Sequence, residues 1–391
     1  MKKKIVILGS TGSIGKSSLK IISSKKKLFK VITLIANSDY NKICNQILNY
    51  RPQHFVITDK KVFNKIKKKF RKSKTKIFNH YSEIPKEKKK VDLTIAAIPG
   101  INGLQFTMDY TKKSKKILIA NKESIICGWN IIKKISKRYR TEIIPLDSEH
   151  FSIYKLTQNY KDNEIDKIYI TASGGPFLRL PFKKFSKIRP KDALKHPKWK
   201  MGKKISIDSS NLMNKTLELI EAYRLFPFDP KKYDIIIHPQ SLVHAIVFFK
   251  NGQSKFLYHE TDMKIPIANA IYENSFDVGD LIKRKKDLLE NFKKLKFKKI
   301  DKKRFPIVTL LSKYCKRSSG PIILNASNEV LVSKFISGKI SFKSIYFHLK
   351  AVLGHKDFKK YAIKRSPNIN QIYKIDRWAR RATMEIIEKK N

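Results

Sequence analysis

The chain has 391 residues, enough for two or three domains with a sizeable buried core. Its 86 Lys and Arg against 32 Asp and Glu give a net charge of +54, which taken alone would suit a polyanion-binding protein. The lysines, however, are scattered from end to end, heavily outnumber the arginines and travel with Ile, Asn, Phe and Tyr. That is the mark of compositional drift at solvated positions, so neither a nucleic acid nor a membrane surface is expected as partner.

The basic start and the apolar run Ile5–Leu8 stop at Gly9, too short for a secretory signal, and no apolar run approaches the ~20 residues of a membrane span. Cys44, Cys127 and Cys315 form no CxxC pair. A disulfide framework or thiolate zinc site is not indicated, and a cytoplasmic protein is expected.

Lys4–Leu8 reads as a central parallel strand that runs into Gly9-Ser-Thr-Gly12-Ser-Ile-Gly15 and then a helix over 16–23. Strand, glycine loop and helix are the context of a dinucleotide site, where bare backbone approaches a pyrophosphate at a helix N-terminus. Gly15-Lys16-Ser17 imitates the end of a P-loop, but Ser10 stands where that motif needs glycine. Further strands are predicted at 31–36, 54–57, 91–97, 117–120 and 142–146, with Lys-rich helices between them. Such alternation predicts an α/β fold built on a Rossmann-like, doubly wound parallel sheet, with ligands beyond the carboxyl ends of the strands.

Two of those ends are chemically loaded besides the glycine loop. Asn121-Lys122-Glu123 places a lysine where it can meet an anion or a substrate oxygen. Ile144-Pro145-Leu146-Asp147-Ser148-Glu149 ends an apolar run in two carboxylates spaced i, i+2, which on a continuing strand would share one face and could share a divalent cation. Beyond them, Ser173-Gly174-Gly175 after a strand reads either as an ordinary tight turn or as an oxyanion or phosphate cradle. His196 to Gly202 reads as a loop carrying Trp199, either a lid over a ligand or a surface loop tacked down by that ring. Asp208 to Asn211 is expected to cap a helix on which Asn214, Lys215, Glu218 and Glu221 form one polar stripe, either a solvated face or a site in which Glu218 adds a third carboxylate. Three such carboxylates would suit Mg²⁺ or Mn²⁺. His238 reads as a structural histidine. Four domain segments are expected: 1–148 for a dinucleotide, 149–282 as an α+β catalytic domain binding metal and substrate, 283–303 as a lysine-rich linker, and 304–391 as a small C-terminal helical bundle.

Taken in order, the glycine loop 9–15, Ala120-Asn-Lys-Glu-Ser124, Asp147-Ser-Glu-His150, Ser173-Gly-Gly-Pro-Phe177, His196-Pro-x-Trp-x-Met-Gly202, Asp208 through Glu218, His238-Pro-Gln-Ser241 and Leu324-Asn-Ala-x-Asn-Glu329 resemble the 1-deoxy-D-xylulose 5-phosphate reductoisomerases over nearly the whole chain. The resemblance implies a homodimeric enzyme of the methylerythritol phosphate route to isoprenoids. It would rearrange the sugar phosphate with a divalent metal and reduce the product with NADPH. It assigns Asp147, Glu149 and Glu218 to the metal, and Ser173, His196, Ser209, Asn214 and Lys215 to the substrate and its phosphate. Lys122 and Ser148 fall near the substrate's oxygens, and Thr11, Gly12, Ser13, Ile14, Asn121, Glu123 and Gly202 fall on the cofactor. Asn37 and Ser38 fall where the family receives the 2′-phosphate of NADP, but Asn37-Ser38-Asp39 replaces its usual Gly-Lys-Asn. An acid there ordinarily favours NAD; NADPH is still expected, with Lys42 or the overall positive field compensating. Two other readings are another Rossmann oxidoreductase on a phosphorylated substrate, for which the metal set is superfluous, and a basic nucleic-acid-binding protein.

Overall fold

The computed structural model describes residues 2–85, 89–199, 201–273, 276–282, 288–311 and 318–389. They belong to two compact units, one made of 1–124, 131–151 and 263–285, the other of 125–130, 152–262 and 286–391.

The first unit is built on a seven-stranded sheet of β1 (Lys3–Leu8), β2 (Phe29–Ala36), β3 (His54–Ile57), β4 (Lys76–Phe78), β5 (Val91–Ala96), β6 (Ser114–Ile119) and β7 (Glu142–Pro145). The order is β4-β3-β2-β1-β5-β6-β7, with every pairing parallel. Ile5, Ile7, Leu34, Phe55, Ile95 and Leu118 are wholly buried, as strands covered on both faces require. Between the strands run α1 (Ser13–Ser24), α2 (Tyr40–Tyr50), α3 (Lys60–Lys69), α4 (Gly103–Lys113) and α5 (Lys122–Tyr139), and α6 begins at Ser148 (Ser148–Thr157). Strand order reverses between β1 and β5, so the crevice beyond their carboxyl ends is the ligand position of this architecture.

In the second unit β8 (Ile165–Ala172), β9 (Tyr233–Ile237), β10 (Val243–Phe249) and β11 (Ser254–Tyr258) form a mixed sheet in the order β11-β10-β8-β9. Helices α7 (Pro190–Ala193), α8 (Lys203–Ser210) and α9 (Met213–Leu225) lie between β8 and β9 in sequence. Later helices are α10 (Lys264–Tyr272), α11 (Leu288–Lys293), α12 (Gly320–Ile336), α13 (Phe342–Leu353), α14 (Phe358–Tyr361) and α15 (Ile369–Glu388). Helices α12, α13 and α15 pack on one another through Ile323, Phe335, Leu349, Trp378 and Ala382, the C-terminal bundle that the periodicity predicts. No helix among the described residues is long and apolar enough to cross a membrane.

Several expectations change. The strand β4 escapes the sequence reading because it has three residues at a sheet edge, none fully buried. The expected catalytic segment 149–282 includes α10, yet α10 packs with α1 in the first unit, where Tyr272 Oη donates to the Ile21 carbonyl at 3.1 Å. Of the expected linker, 283–287 lies outside the described residues; the remainder holds α11 and a bridge between Lys298 and Ile237.

Candidate active site

In the first unit the glycine loop closes β1 onto α1. Gly9, at φ +83°, lies so close to the end of β5 that a Cβ would meet the Ala97 carbonyl oxygen at 2.6 Å. At Gly15 a Cβ would meet the Gly9 oxygen at 2.4 Å, so helix and loop fit only without side chains. Ser10 is pinned from beneath, its hydroxyl donating to Gln46 Oε1 at 2.7 Å while Gln46 Nε2 donates back to the Ser10 carbonyl at 2.9 Å. Thr11 leads to Gly12, which stands at the α1 N-cap with no side-chain cap, and Ser13 and Ile14 form the first turn. Uncapped N–H groups at the positive end of a helix, beside bare backbone, fit a pyrophosphate.

At the end of β2, Asn37 and Ser38 are exposed. Asp39 caps α2 by accepting from the Lys42 N–H at 3.1 Å, and its carboxylate also pairs with the Lys42 ammonium. The Lys42 hydrogen bond holds the Asp39 carboxyl below the usual carboxylate range. The acid that raised the cofactor question is therefore largely engaged with a lysine of its own helix.

At the end of β6, Asn121 caps α5: its Oδ1 accepts from the Ser124 N–H at 2.6 Å, while its Nδ2 donates to the carbonyls of Ile98 and Gly100. Asn121 Nδ2 also lies 3.2 Å from Glu123 Oε2, and both residues are buried. Lys122, the first residue of α5 and 9% exposed, brings its ammonium to 3.6 Å from Asp147 Oδ2.

Asp147 and Glu149 are not on a strand, contrary to the spacing argument. β7 ends at Pro145, one further bond to β6 runs from the Leu146 N–H to the Ile119 carbonyl at 2.9 Å, and Asp147 then precedes α6 as its cap, accepting from the Glu149 N–H at 3.4 Å. Glu149 sits in the first turn, with the Ser148 hydroxyl donating to its Oε2 at 2.5 Å. A helix N-terminus favours both negative charges. The donors are carboxylate oxygens, the hard ligands that Mg²⁺ or Mn²⁺ prefers.

In the second unit, Ser173 follows β8 and its Oγ accepts from the Gly175 N–H at 3.1 Å. His196 Nε2 lies 3.0 Å from the same oxygen, and His196 Nδ1 accepts from the N–H groups of Lys198 (3.2 Å) and Trp199 (2.9 Å). Two N–H donors on Nδ1 place the ring proton on Nε2, which therefore donates to Ser173. Burial, helped by the nearby Lys215 charge, pushes the His196 pKa down to about 4, so the ring is neutral. With both Oγ lone pairs occupied, the Ser173 hydroxyl proton is left to donate to a ligand oxygen.

The expected cap cluster 208–211 is not where α9 starts: Asp208, Ser209 and Ser210 close α8, and Leu212 turns the chain at φ 63° into α9. Asp208 is 1% exposed and accepts from Lys204 Nζ at 3.0 Å and Asn328 Nδ2 at 2.8 Å, a structural role. Ser209 is half-buried, and Gly202 caps α8 with open space around it. On α9 the polar stripe is not a solvated face, since Asn214, Lys215, Glu218 and Glu221 are all buried. Lys215 Nζ donates to Glu218 Oε2 at 2.7 Å, and Asn214 Nδ2 donates to Glu218 Oε1.

His238 is structural, as expected: it donates through Nδ1 to the Lys296 carbonyl at 3.0 Å and stacks on Phe297. His244 was not singled out, although Trp199 packs edge-on against it at 5.9 Å and it stacks on His259 at 3.7 Å. Its strand position carried no signal beyond a polar residue in an apolar run.

Sequence models of the 1-deoxy-D-xylulose 5-phosphate reductoisomerases match residues 5–128, and models of the C-terminal domains of those enzymes match 143–226 and 259–382. The enzyme of that name from Pelagibacter ubique is 44% identical over 96% of this chain and 97% of its own length, and that of Wolbachia pipientis wMel 37% identical over 99% and 98%. A DOX-P reductoisomerase solved with NADPH, fosmidomycin and magnesium is 31% identical and superposes with a TM-score of 0.91 over 99% of this chain and 98% of that one. The Zymomonas mobilis enzyme solved with NADPH gives 0.88 at 28% identity, over 99% of this chain and all of that one. The chain belongs to the 1-deoxy-D-xylulose 5-phosphate reductoisomerase family.

Proposed function

We infer that the two units divide the family's reaction, the conversion of 1-deoxy-D-xylulose 5-phosphate to 2-C-methyl-D-erythritol 4-phosphate, between cofactor and substrate. The loop from Thr11 to Ile14 would hold the NADPH pyrophosphate, with Asn37 and Ser38 toward the adenosine ribose and Asn121, Glu123 and Gly202 along the cofactor. Asp147, Glu149 and Glu218 would hold a divalent cation, Mg²⁺ or Mn²⁺. When bound, the cation supplies Lewis acidity to the substrate's oxygens and NADPH supplies the hydride.

The chain's own groups do the rest. Ser173 donates its spare proton to the phosphate, and the neutral His196 keeps that hydroxyl turned outward. Lys215, oriented by Glu218, adds positive charge, and Asn214 and Ser209 add polar contacts. Lys122 and Ser148 address the oxygens at the reacting end. Trp199 closes over the substrate as part of a lid spanning 196–202 and excludes water. The buried Cys44, in no disulfide, suits a cytoplasmic enzyme. The open edge of β11, where Phe256 is 46% exposed, suits a homodimer.

The full-length match to one family carries this reading. NADPH oxidation with 1-deoxy-D-xylulose 5-phosphate, after rigorous metal removal and again with Mg²⁺ or Mn²⁺, tests it. Activity should depend on added metal, and Glu149→Gln should lower it by at least about 100-fold. Activity without metal would favour another Rossmann oxidoreductase, and a fully active Glu149→Gln would remove that carboxylate from the site.

A further inference from the structure

The second unit contains a cavity of about 360 Å³ that none of the substrate, metal or cofactor residues lines. This is within the size range of small-molecule sites. Two features bear on its use. Its walls are aromatic, and two of the rings, Phe182 and Phe347, stay 52% and 58% exposed, an apolar surface left in water. Its charges are all positive. Lys303, Arg304 and Lys343 line it and no acidic residue does; Arg304 Nη1 donates to the carbonyls of Phe177 at 2.9 Å and Leu180 at 2.6 Å, while the Asp301 carboxylate, outside the lining, accepts from the backbone N–H groups of Lys303 and Arg304. The cations are held over the rings, Lys343 Nζ lying 5.0 Å from the centre of Phe182 and the Arg304 guanidinium 5.3 Å from that of Phe185.

We propose that this cavity binds a free small organic anion with an apolar, ring-sized body. The rings take the body, and Lys303, Lys343 and the remaining N–H groups of Arg304 take a carboxylate or phosphate head. Aromatic walls alone would take a neutral hydrophobe, and lysines alone would take any anion; the two together select a molecule that is both.

The test uses the full chain and naphthoate as probe, titrated by calorimetry. Saturable one-to-one binding is expected. The uncharged naphthamide and the Lys303→Glu/Lys343→Glu variant should each weaken it at least about tenfold, the scale of a lost charge-assisted contact. Phe347→Ala, which removes an exposed ring, provides a second variant that should fold normally and bind severalfold more weakly. Unchanged NADPH binding and melting temperature verify the fold of each variant. The proposal fails if naphthoate does not saturate, if naphthamide or the charge-reversed variant binds as well, or if inorganic phosphate alone binds as tightly, which would leave the rings no role.

Discussion

The substitution Gly175→Ala isolates what the turn after β8 does. Gly175 stands at φ +67°, and a Cβ there would meet the Ser209 carbonyl oxygen at 2.6 Å and Ser210 Cα at 2.9 Å. Gly252, in the hairpin between β10 and β11, has an equally left-handed φ of +83° but nothing within 4 Å. Both Ala variants carry the left-handed penalty of roughly 1–2 kcal/mol. Only at Gly175 must backbone also give way, by about 0.8 Å to restore ordinary contact at 3.4 Å. That displacement separates the loop holding Ser173 from the end of α8 holding Ser209, the two hydroxyls assigned to the substrate. A misplacement near 1 Å costs on the order of 100-fold in a positioned reaction. Steady-state kinetics with the sugar phosphate, well below the melting temperature of either variant, should show kcat/KM for Gly175→Ala down by about 10- to 100-fold. Gly252→Ala should stay within about twofold of the parent, because its strain acts on stability alone. Equal kcat/KM in the two variants would refute the claim that the turn positions the site.

The parallel sheet was legible because its strands are continuous apolar runs ending in turn residues, and six of seven could be read that way. The seventh, Lys76–Phe78, is too short and too open to leave such a run. Site residues were legible by type and order but less so by geometry. The carboxylates at 147 and 149 were singled out on strand alternation, yet the strand stops at Pro145 and a helix cap brings them together. For α9, a polar stripe in a lysine-rich chain looks the same whether solvated or buried, and only tertiary packing makes Glu218 1% exposed. Asp208 looked like a local cap because its partner, Asn328, is far away in sequence and invisible to any local pattern. The stretch before 303 looked like a linker because few apolar anchors mark α11 against its lysines.

His196 should titrate near 4 rather than near 6.5, because burial and Lys215 disfavour its cation. The folded value lies below the unfolded one, so the unfolded chain takes up this proton first, and the group subtracts stability as pH falls from about 6.5 towards 4. An NMR midpoint at 6 or above for this ring would contradict its neutral, Nε2-protonated state. The buried Lys215–Glu218 pair should be strongly coupled. Lys215→Met and Glu218→Gln should each cost about 3–5 kcal/mol in urea denaturation under chelating conditions, and the double variant clearly less than their sum; additivity within about 0.5 kcal/mol would deny the pairing. An acid after the second strand ordinarily turns a dinucleotide site towards NAD, but here Lys42 neutralises Asp39, whose side chain is already committed to capping α2. Removing the lysine alone should expose the repulsion. Lys42→Ala is expected to raise KM for NADPH by about 3- to 10-fold while leaving KM for NADH nearly unchanged, the scale of one solvent-exposed charge interaction. Asp39→Asn in the Lys42→Ala background should restore most of the loss, since the carboxylate and not the missing ammonium is then at fault. If the double variant binds NADPH no better than Lys42→Ala, Lys42 contacts the cofactor directly, and Asp39 is only a helix cap.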